Sequence, residues 1–331
     1  MDYSEFVFGK ENRTYLMGIS MIWIVLFHVY LWSTISGITI PRWLCIFDKG
    51  ALGVDVFLLL SAYGLQASIE RNNIRNFYLN RIKRLFPVYF FFLLTLFSTF
   101  ERDCSFNKML IQCVYQITGL SLFKYSDFFS CGFCFDWFTP AIVIIYIFFP
   151  LLSKIVYWIN KKGILYEILM MVLCVIIGTW IRENKHFSFG LLAIRFPVLY
   201  LGMIAFVYLN SNKIHKLLVL VIIAACLGLL SGNDEMRLSL LLPPLLITFA
   251  MASSTQPAKR FFCLVGRYSY EVYLAHIFPV AFLIPLTMTD NILIILLLTC
   301  VLTIFVTYVY CSIQKIFYSA LRVFVVRFSS L

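Results

Sequence analysis

Three ionisable side chains lie inside long apolar stretches, where a charge is expensive and a functional role is the first reading. They are His28 in residues 14–33, Asp55 in residues 50–68 and Arg195 in residues 190–209. An imidazole with an ordinary pKa of about 6.5 can remove a proton from a hydroxyl at neutral pH, so His28 is a candidate general base. Asp55 could fix the tautomer of that imidazole and favour its charged form, as the carboxylate of a catalytic triad does. The plainer alternative is a structural Asp55–Arg195 bridge, with His28 hydrogen-bonded to a neighbouring helix. No serine or cysteine stands out as a nucleophile, since Ser61 falls two turns from Asp55 at a position suited to helix packing. Direct, base-assisted transfer is therefore preferred to a covalent serine intermediate.

A second set of residues is cationic. Arg71, Arg75, Arg81, Lys83 and Arg84 crowd one loop that runs into Pro87. Arg81 and Arg84, three residues apart, share a helix face and could grip phosphate oxygens. Such a loop could equally serve to fix topology or touch anionic lipid. A third set, Tyr270, Tyr273 and His276 with Glu271, reads either as a polar helix face lining a passage or as a hydrogen-bonded packing seam. Tyr146 and Pro150, and the pair Pro243-Pro244, mark kinks or openings in their helices.

The elements that must hold these residues follow from composition. The chain has 331 residues, 62% hydrophobic and only 13% charged, where a soluble domain carries about 25% charge. That excludes a soluble domain and predicts an all-α polytopic membrane bundle. Ten stretches read as transmembrane helices: 14–33, 50–68, 86–100, 137–159, 164–181, 190–209, 216–231, 238–253, 264–286 and 291–312. Together they form a single transmembrane domain over residues 1–331, with residues 314–331 as an interfacial cytoplasmic tail. The polar start and the lack of a small-residue cleavage site argue that the first stretch is retained. Residues 109–123 are apolar but short and broken by Gln112, Gln116 and Gly119. If they do not cross, most Lys and Arg residues fall on one side together with both termini. The positive-inside bias therefore predicts ten crossings and a re-entrant or interfacial 109–123.

In that orientation His28, Asp55 and Arg195 are each five residues from the outer end of their stretch. At ~1.5 Å per residue all three lie roughly 7 Å below the outer boundary. The net charge of +11 is scattered through short loops, which suits a membrane protein and not a nucleic-acid partner. Cys131 and Cys134 form a lone CxxC without a second pair, so no metal is implied. A disulfide involving Cys104 or Cys45 is the other reading of that pair.

Six segments in order resemble the acyltransferase-3 family of membrane-bound O-acetyltransferases. Gly18 to His28 resembles the first-span signature that ends in the family's essential histidine. Gly53-Val-Asp55-Val-Phe57 with Leu60-Ser-Ala-Tyr-Gly64 resembles its second-span motif, and Arg81-Ile-Lys-Arg84-Leu-Phe-Pro87 its RxxR loop. Trp137-Phe-Thr-Pro140 through Tyr146 to Pro150, Arg195-Phe-Pro197 with Gly202, and Ser269-Tyr270 to His276 follow in the expected sequence. Two positions depart: Met17 stands where the family usually has Arg or Lys, with Arg13 one turn earlier on the same face, and Ala62 replaces a frequent glycine.

The resemblance implies acetyl-CoA as co-substrate and no metal. It implies a sugar hydroxyl of a bacterial surface polysaccharide, or of its lipid-linked precursor, as acceptor, and a place in the bacterial cytoplasmic membrane. On that reading His28 and Asp55 are the catalytic pair, and Arg13, Arg81 and Arg84 hold the CoA phosphates. Arg195, Tyr146, Tyr273 and His276 meet the acceptor. The donor enters from the cytoplasm, so either its pantetheine arm reaches deep into the bundle or the acetyl group is relayed; no relay nucleophile is evident, which favours the deep reach. Monomer and homodimer both fit the sequence. A transporter or flippase of a lipid-linked sugar, using the same polar residues to bind, is the alternative from another class, and a glycan polymerase the third.

Overall fold

Lipid offers the backbone no hydrogen-bond partners, so an apolar chain of this kind must satisfy its N–H and C=O groups within helices. The computed structural model describes residues 8–100, 105–123, 136–184, 187–252, 255–286 and 291–329, and among them there is no strand. The helices are α1 (Lys10–Ile35), α2 (Gly53–Arg71), α3 (Ile74–Phe100), α4 (Phe106–Thr118), α5 (Phe138–Lys162), α6 (Ile164–Glu183) and α7 (Phe187–Ala193). They continue with α8 (Phe196–Asn210), α9 (Ile214–Leu230), α10 (Asp234–Ala252), α11 (Gln256–Arg267), α12 (Ser269–Ala275) and α13 (Ile292–Ser329). A 3-10 segment, Arg42–Leu52, leads into α2, and a π-helical turn, Pro279–Leu283, follows α12.

Among the described residues, five helical segments are long and apolar enough to cross a membrane: Lys10–Ile35, Phe138–Lys162, Ile164–Glu183, Ser188–Asn210 and Ile292–Ser319. The chain is a multi-pass helical membrane bundle. Among the described residues all ten stretches expected to span are helical, but two are broken within their length. The sixth splits into α7 and α8 around Arg195, and the ninth splits into α11, α12 and the π-helical turn. Conversely, α5 and α10 run through Pro150 and Pro243-Pro244 without interruption. The cationic loop is itself helix, because α3 begins at Ile74, twelve residues before the expected start. Residues 109–123 form α4 and a 3-10 turn, Leu120–Phe123, packed on α5. Thirteen residues of helix rise only about 20 Å, short of a ~30 Å hydrocarbon core. Gly119 joins the two pieces at φ +81°, where an added Cβ would also strike the Pro140 carbonyl. The predicted tail continues α13 without a break through Ser329. Cys104, Cys131 and Cys134 lie outside the described residues.

Two close approaches set the frame around the site. At the crossing of α1 and α11, a Cβ on Gly18 would meet the Phe262 carbonyl at 1.8 Å, and one on Gly266 the Thr14 carbonyl at 1.8 Å. Between α2 and α8, a Cβ on Gly202 would lie 2.3 Å from the Leu59 carbonyl. Small residues let the backbones touch, which is how helices gain packing energy where lipid removes the hydrophobic drive. Helix α8 is the centre of the bundle, buried at nearly every position from Pro197 to Leu209 and packed against α2, α5, α6 and α9. Helix α13 turns Leu297, Ile304 and Phe305 outward, an apolar face suited to lipid.

Candidate active site

Helix α1 connects two cavities. The first, about 690 Å³, lies at its N-terminal end and is walled by α1, α2, α3, α5 and α11. Lys10, Arg13, Arg81, Arg84 and Arg267 face it, against a single carboxylate, Glu11. That carboxylate is within 3.5 Å of Lys259. Arg13 enters the space left by Gly64, whose missing Cβ would lie 2.8 Å from its Nη1. Met17 faces the same cavity one turn on, so Arg13 and Met17 share one wall of it. Arg81 is held flat by two rings, its guanidinium carbon 5.2 Å from the centre of Phe77 and 5.7 Å from that of Tyr146. Its Nε is buried without a hydrogen-bond partner. Tyr146, expected at the acceptor, is therefore a wall of the cationic cavity. Five cations around one space, with an unspent N–H among them, call for a polyanion.

The second cavity, about 850 Å³, opens at the C-terminal half of α1. His28, Asp55 and Arg195 all line it, so the three residues that share a level in the sequence surround one space. The local sequence explains the placements of Asp55 and Arg195. Asp55 sits in the first turn of α2, where the helix dipole favours a carboxylate. Pro197 lacks an N–H and its ring excludes the carbonyl four residues back, so the helix breaks between Ala193 and Phe196. The amide of Arg195 then turns to Leu192, and the Leu191 carbonyl that it would have bonded accepts the Arg195 Nη1–H at 2.6 Å.

Asp55 is wholly buried and engaged by others. Its Oδ1 accepts the Ser239 hydroxyl at 2.8 Å and lies 3.2 Å from Arg195 Nε, while Oδ2 has no hydrogen-bond partner. The Arg195 guanidinium also stands over the Trp137 ring at 5.2 Å. The triad-like pairing of Asp55 with His28 is thus corrected: the carboxylate belongs to the arginine, as in the alternative structural reading, although His28 shares the cavity. A positive neighbour in a buried site holds the aspartate more cheaply than a neutral ring could.

His28 is instead paired with a second histidine. His276 Nε2 lies 3.2 Å from His28 Nδ1, and the rings are 4.9 Å apart. His276 and Tyr273, expected at the acceptor, both stand behind His28. The Tyr273 ring packs 5.6 Å from His276 and its hydroxyl donates to Asp136 Oδ1 at 2.9 Å. Asp136 is buried and accepts the Thr139 amide at the start of α5. The sequence reading missed Asp136 and Ser239. Asp136 carries a usable signal, a carboxylate just before an apolar helix, as an N-cap requires. Ser239 carries none.

The rings of Phe57, Phe138 and Tyr273 form a cluster, with Phe138 5.7 Å from Phe57 and 5.1 Å from Tyr273. At the rim of the larger cavity, Arg182 of α6 donates two hydrogen bonds, of 2.6 and 2.7 Å, to Glu235 of α10. The Arg182 guanidinium holds the Glu235 carboxyl below its ordinary range.

The chain is thus a multi-pass helical bundle with a cationic cavity at one end of α1 and a cavity lined by His28, Asp55 and Arg195 at the other. A family model described as an acyltransferase domain matches residues 14–311, and the chain belongs to the acyltransferase-3 family. No individual characterised protein and no solved structure matches it.

Proposed function

We propose that this chain transfers an acetyl group from acetyl-CoA to a sugar hydroxyl of a bacterial surface polysaccharide or of its lipid-linked precursor. It would do so in the cytoplasmic membrane, with both termini on the cytoplasmic side. The observation that carries this reading is the placement of the two cavities at opposite ends of α1. Arg13, Arg81 and Arg84 would bind the CoA phosphates. From Met17 to His28 the helix rises about 16 Å, so an extended pantetheine arm running beside the Phe57, Phe138 and Tyr273 rings brings the thioester to the histidine.

The acceptor occupies the larger cavity. Trp32 offers a flat face to a sugar ring, and Arg195, which lines the same cavity, offers N–H donors to its hydroxyls. His28 takes the proton of the attacked hydroxyl as its oxygen bonds to the thioester carbonyl. The carbon–sulfur bond then breaks, and the thiolate leaves as free CoA after receiving that proton from the imidazolium. The pairing of Asp55 with Arg195 leaves His28 without the carboxylate partner of a triad, so its role rests on the imidazole alone.

The test is transfer by purified, bilayer-reconstituted protein from labelled acetyl-CoA. His28→Ala should abolish transfer while leaving acetyl-CoA binding intact; near-normal turnover would refute the base. Mass spectrometry of surface glycan from cells with and without the gene identifies the acceptor, and identical acetylation in both would refute a glycan acceptor.

A further inference from the structure

Two histidines facing each other inside a membrane bundle can be read one proton at a time. His28 Nδ1 lies 2.9 Å from the carbonyl oxygen of Ile24, one turn back on α1. A carbonyl oxygen only accepts, so at that distance Nδ1 carries the proton. His276 Nδ1 lies 3.3 Å from the carbonyl oxygen of Val272, and by the same reasoning carries the proton of its own ring. His276 Nε2 is then a bare acceptor, and it is this atom that approaches His28 Nδ1 at 3.2 Å. The opposite tautomers would still join the rings, from His276 Nε2–H to His28 Nδ1, but would leave a lone pair against each carbonyl. The two carbonyl contacts thus decide the arrangement and the ring–ring contact is compatible with it: the N–H of His28 is shared between Ile24 and His276. The nitrogen left bare on His28 is Nε2.

The surroundings explain how this arrangement is kept. His276 is buried, 1% exposed, whereas His28 is only partly covered and borders the larger cavity. The backbone helps as well: α12 ends at Ala275, and the π-helical turn Pro279–Leu283 begins three residues after His276, a local widening of the helix of the kind found at functional sites. Behind His276 the Tyr273 ring is fixed through Asp136, which itself is bonded to the start of α5. The second ring is therefore clamped, and the first is presented.

We propose that His276 is a positioning residue for His28: its Nε2 lone pair accepts the His28 Nδ1–H, orients the ring and supports the charge that appears when His28 Nε2 takes the acceptor's proton. This rests on His28 being the base. It also removes His276 from the residues that touch the acceptor and gives the carboxylate's place in a triad to an uncharged ring. The balance is simple: His28 gains one proton on Nε2 from the hydroxyl, keeps that on Nδ1, and returns the first to the departing thiolate, while His276 gains and loses none.

The experiment compares His276→Phe, His276→Gln and His276→Asn with His28→Ala in the reconstituted protein. The Phe side chain keeps the ring's volume and loses the acceptor, and should lower kcat by about 10- to 100-fold, the worth of a hydrogen bond to a charged group. KM for acetyl-CoA should stay unchanged. The Gln side chain carries an oxygen near the position of Nε2 and should restore most of kcat. If the Phe protein is not recovered folded, Asn takes its place, because its shorter amide leaves His28 without an acceptor. Equal kcat in the wild type and the Phe variant, or equal loss in Phe and Gln, overturns the positioning role. An active His28→Ala protein would instead overturn the base itself, and the two failures are told apart in one series.

Discussion

Asp55 and Arg195 give the most demanding test of the site's architecture. Both are nearly dry, at 0% and 7% exposure, and they meet at 3.2 Å across helices α2 and α8. Removing one partner strands the other charge, which costs about 3–5 kcal/mol in buried pairs, whereas replacing both with apolar residues of similar volume is often close to neutral. Asp55→Leu should therefore destabilise the protein by about 3–5 kcal/mol, since the guanidinium would lose its contacting carboxylate and keep Leu191 O, the Trp137 face and the more distant Glu235. Arg195→Met should cost less than Asp55→Leu, because Ser239 still donates to the carboxylate. The double variant should recover at least ~2 kcal/mol of the summed loss, a coupling toward the upper end for directly contacting groups. Reversible unfolding in mixed micelles by titration with a denaturing detergent measures all four proteins. If the two losses add within ~0.5 kcal/mol, the pair is not a pair and the account of Asp55 given above fails. Transfer should be absent in the double variant even where stability returns, because the acceptor's partners are gone.

Two further outcomes follow from the cationic and rim residues. Arg81→Ala or Arg84→Ala should weaken acetyl-CoA binding by about 10-fold and flatten its salt dependence, as measured by titration of the purified protein across ionic strength; unchanged affinity in both would reduce these residues to topology signals. The Arg182–Glu235 pair is half-exposed and should contribute only about 0.2–1 kcal/mol. Because the folded-state pKa of Glu235 is lowered, that contribution is present above the unfolded carboxylate value of about 4.3 and is lost as pH falls through the lower, folded one. The stability difference between wild type and Glu235→Gln should thus be constant from about pH 5 to 8 and shrink on further acidification; a difference that persists there would contradict the assignment.

How much of this was legible in the sequence depends on the kind of signal. Helical class and the number of apolar stretches follow from composition and length, which the bilayer constrains strongly. The grouping of His28, Asp55 and Arg195 was legible because depth is a one-dimensional coordinate that residue counting supplies. Pairing within that level was not, because which side chains face each other depends on how helices rotate and cross. Asp55 went to Arg195 and Ser239, and His28 to His276, a residue 248 positions away. Tyr146 stands away from that level for a related reason: it lines the cationic cavity, where its ring supports Arg81. Arg81 and Arg84 were seen as sharing a helix face, but the helix that carries them reaches further back than hydropathy alone could indicate, since charged residues at a membrane surface hide a helix start.

In lipid an interrupted helix is tolerated only where it is buried in protein or lines a cavity, because each freed carbonyl or amide needs a partner. Arg195 and His276 each stand at an interruption, and both interruptions lie around the level of His28. At the first, the carbonyl of Leu191 is taken by the arginine side chain, so the break itself orients the group that holds Asp55. At the second, the chain passes from α12 into a π-helical turn, and the imidazole at the junction is directed at α1. Prolines with no polar residue beside them, Pro150 and Pro243-Pro244, leave their helices continuous. What distinguishes Pro197 is the arginine two positions before it, able to satisfy the carbonyl that the break exposes. The site is therefore built where a helix can afford to stop, and a side chain that compensates the backbone is the same one that enters the cavity.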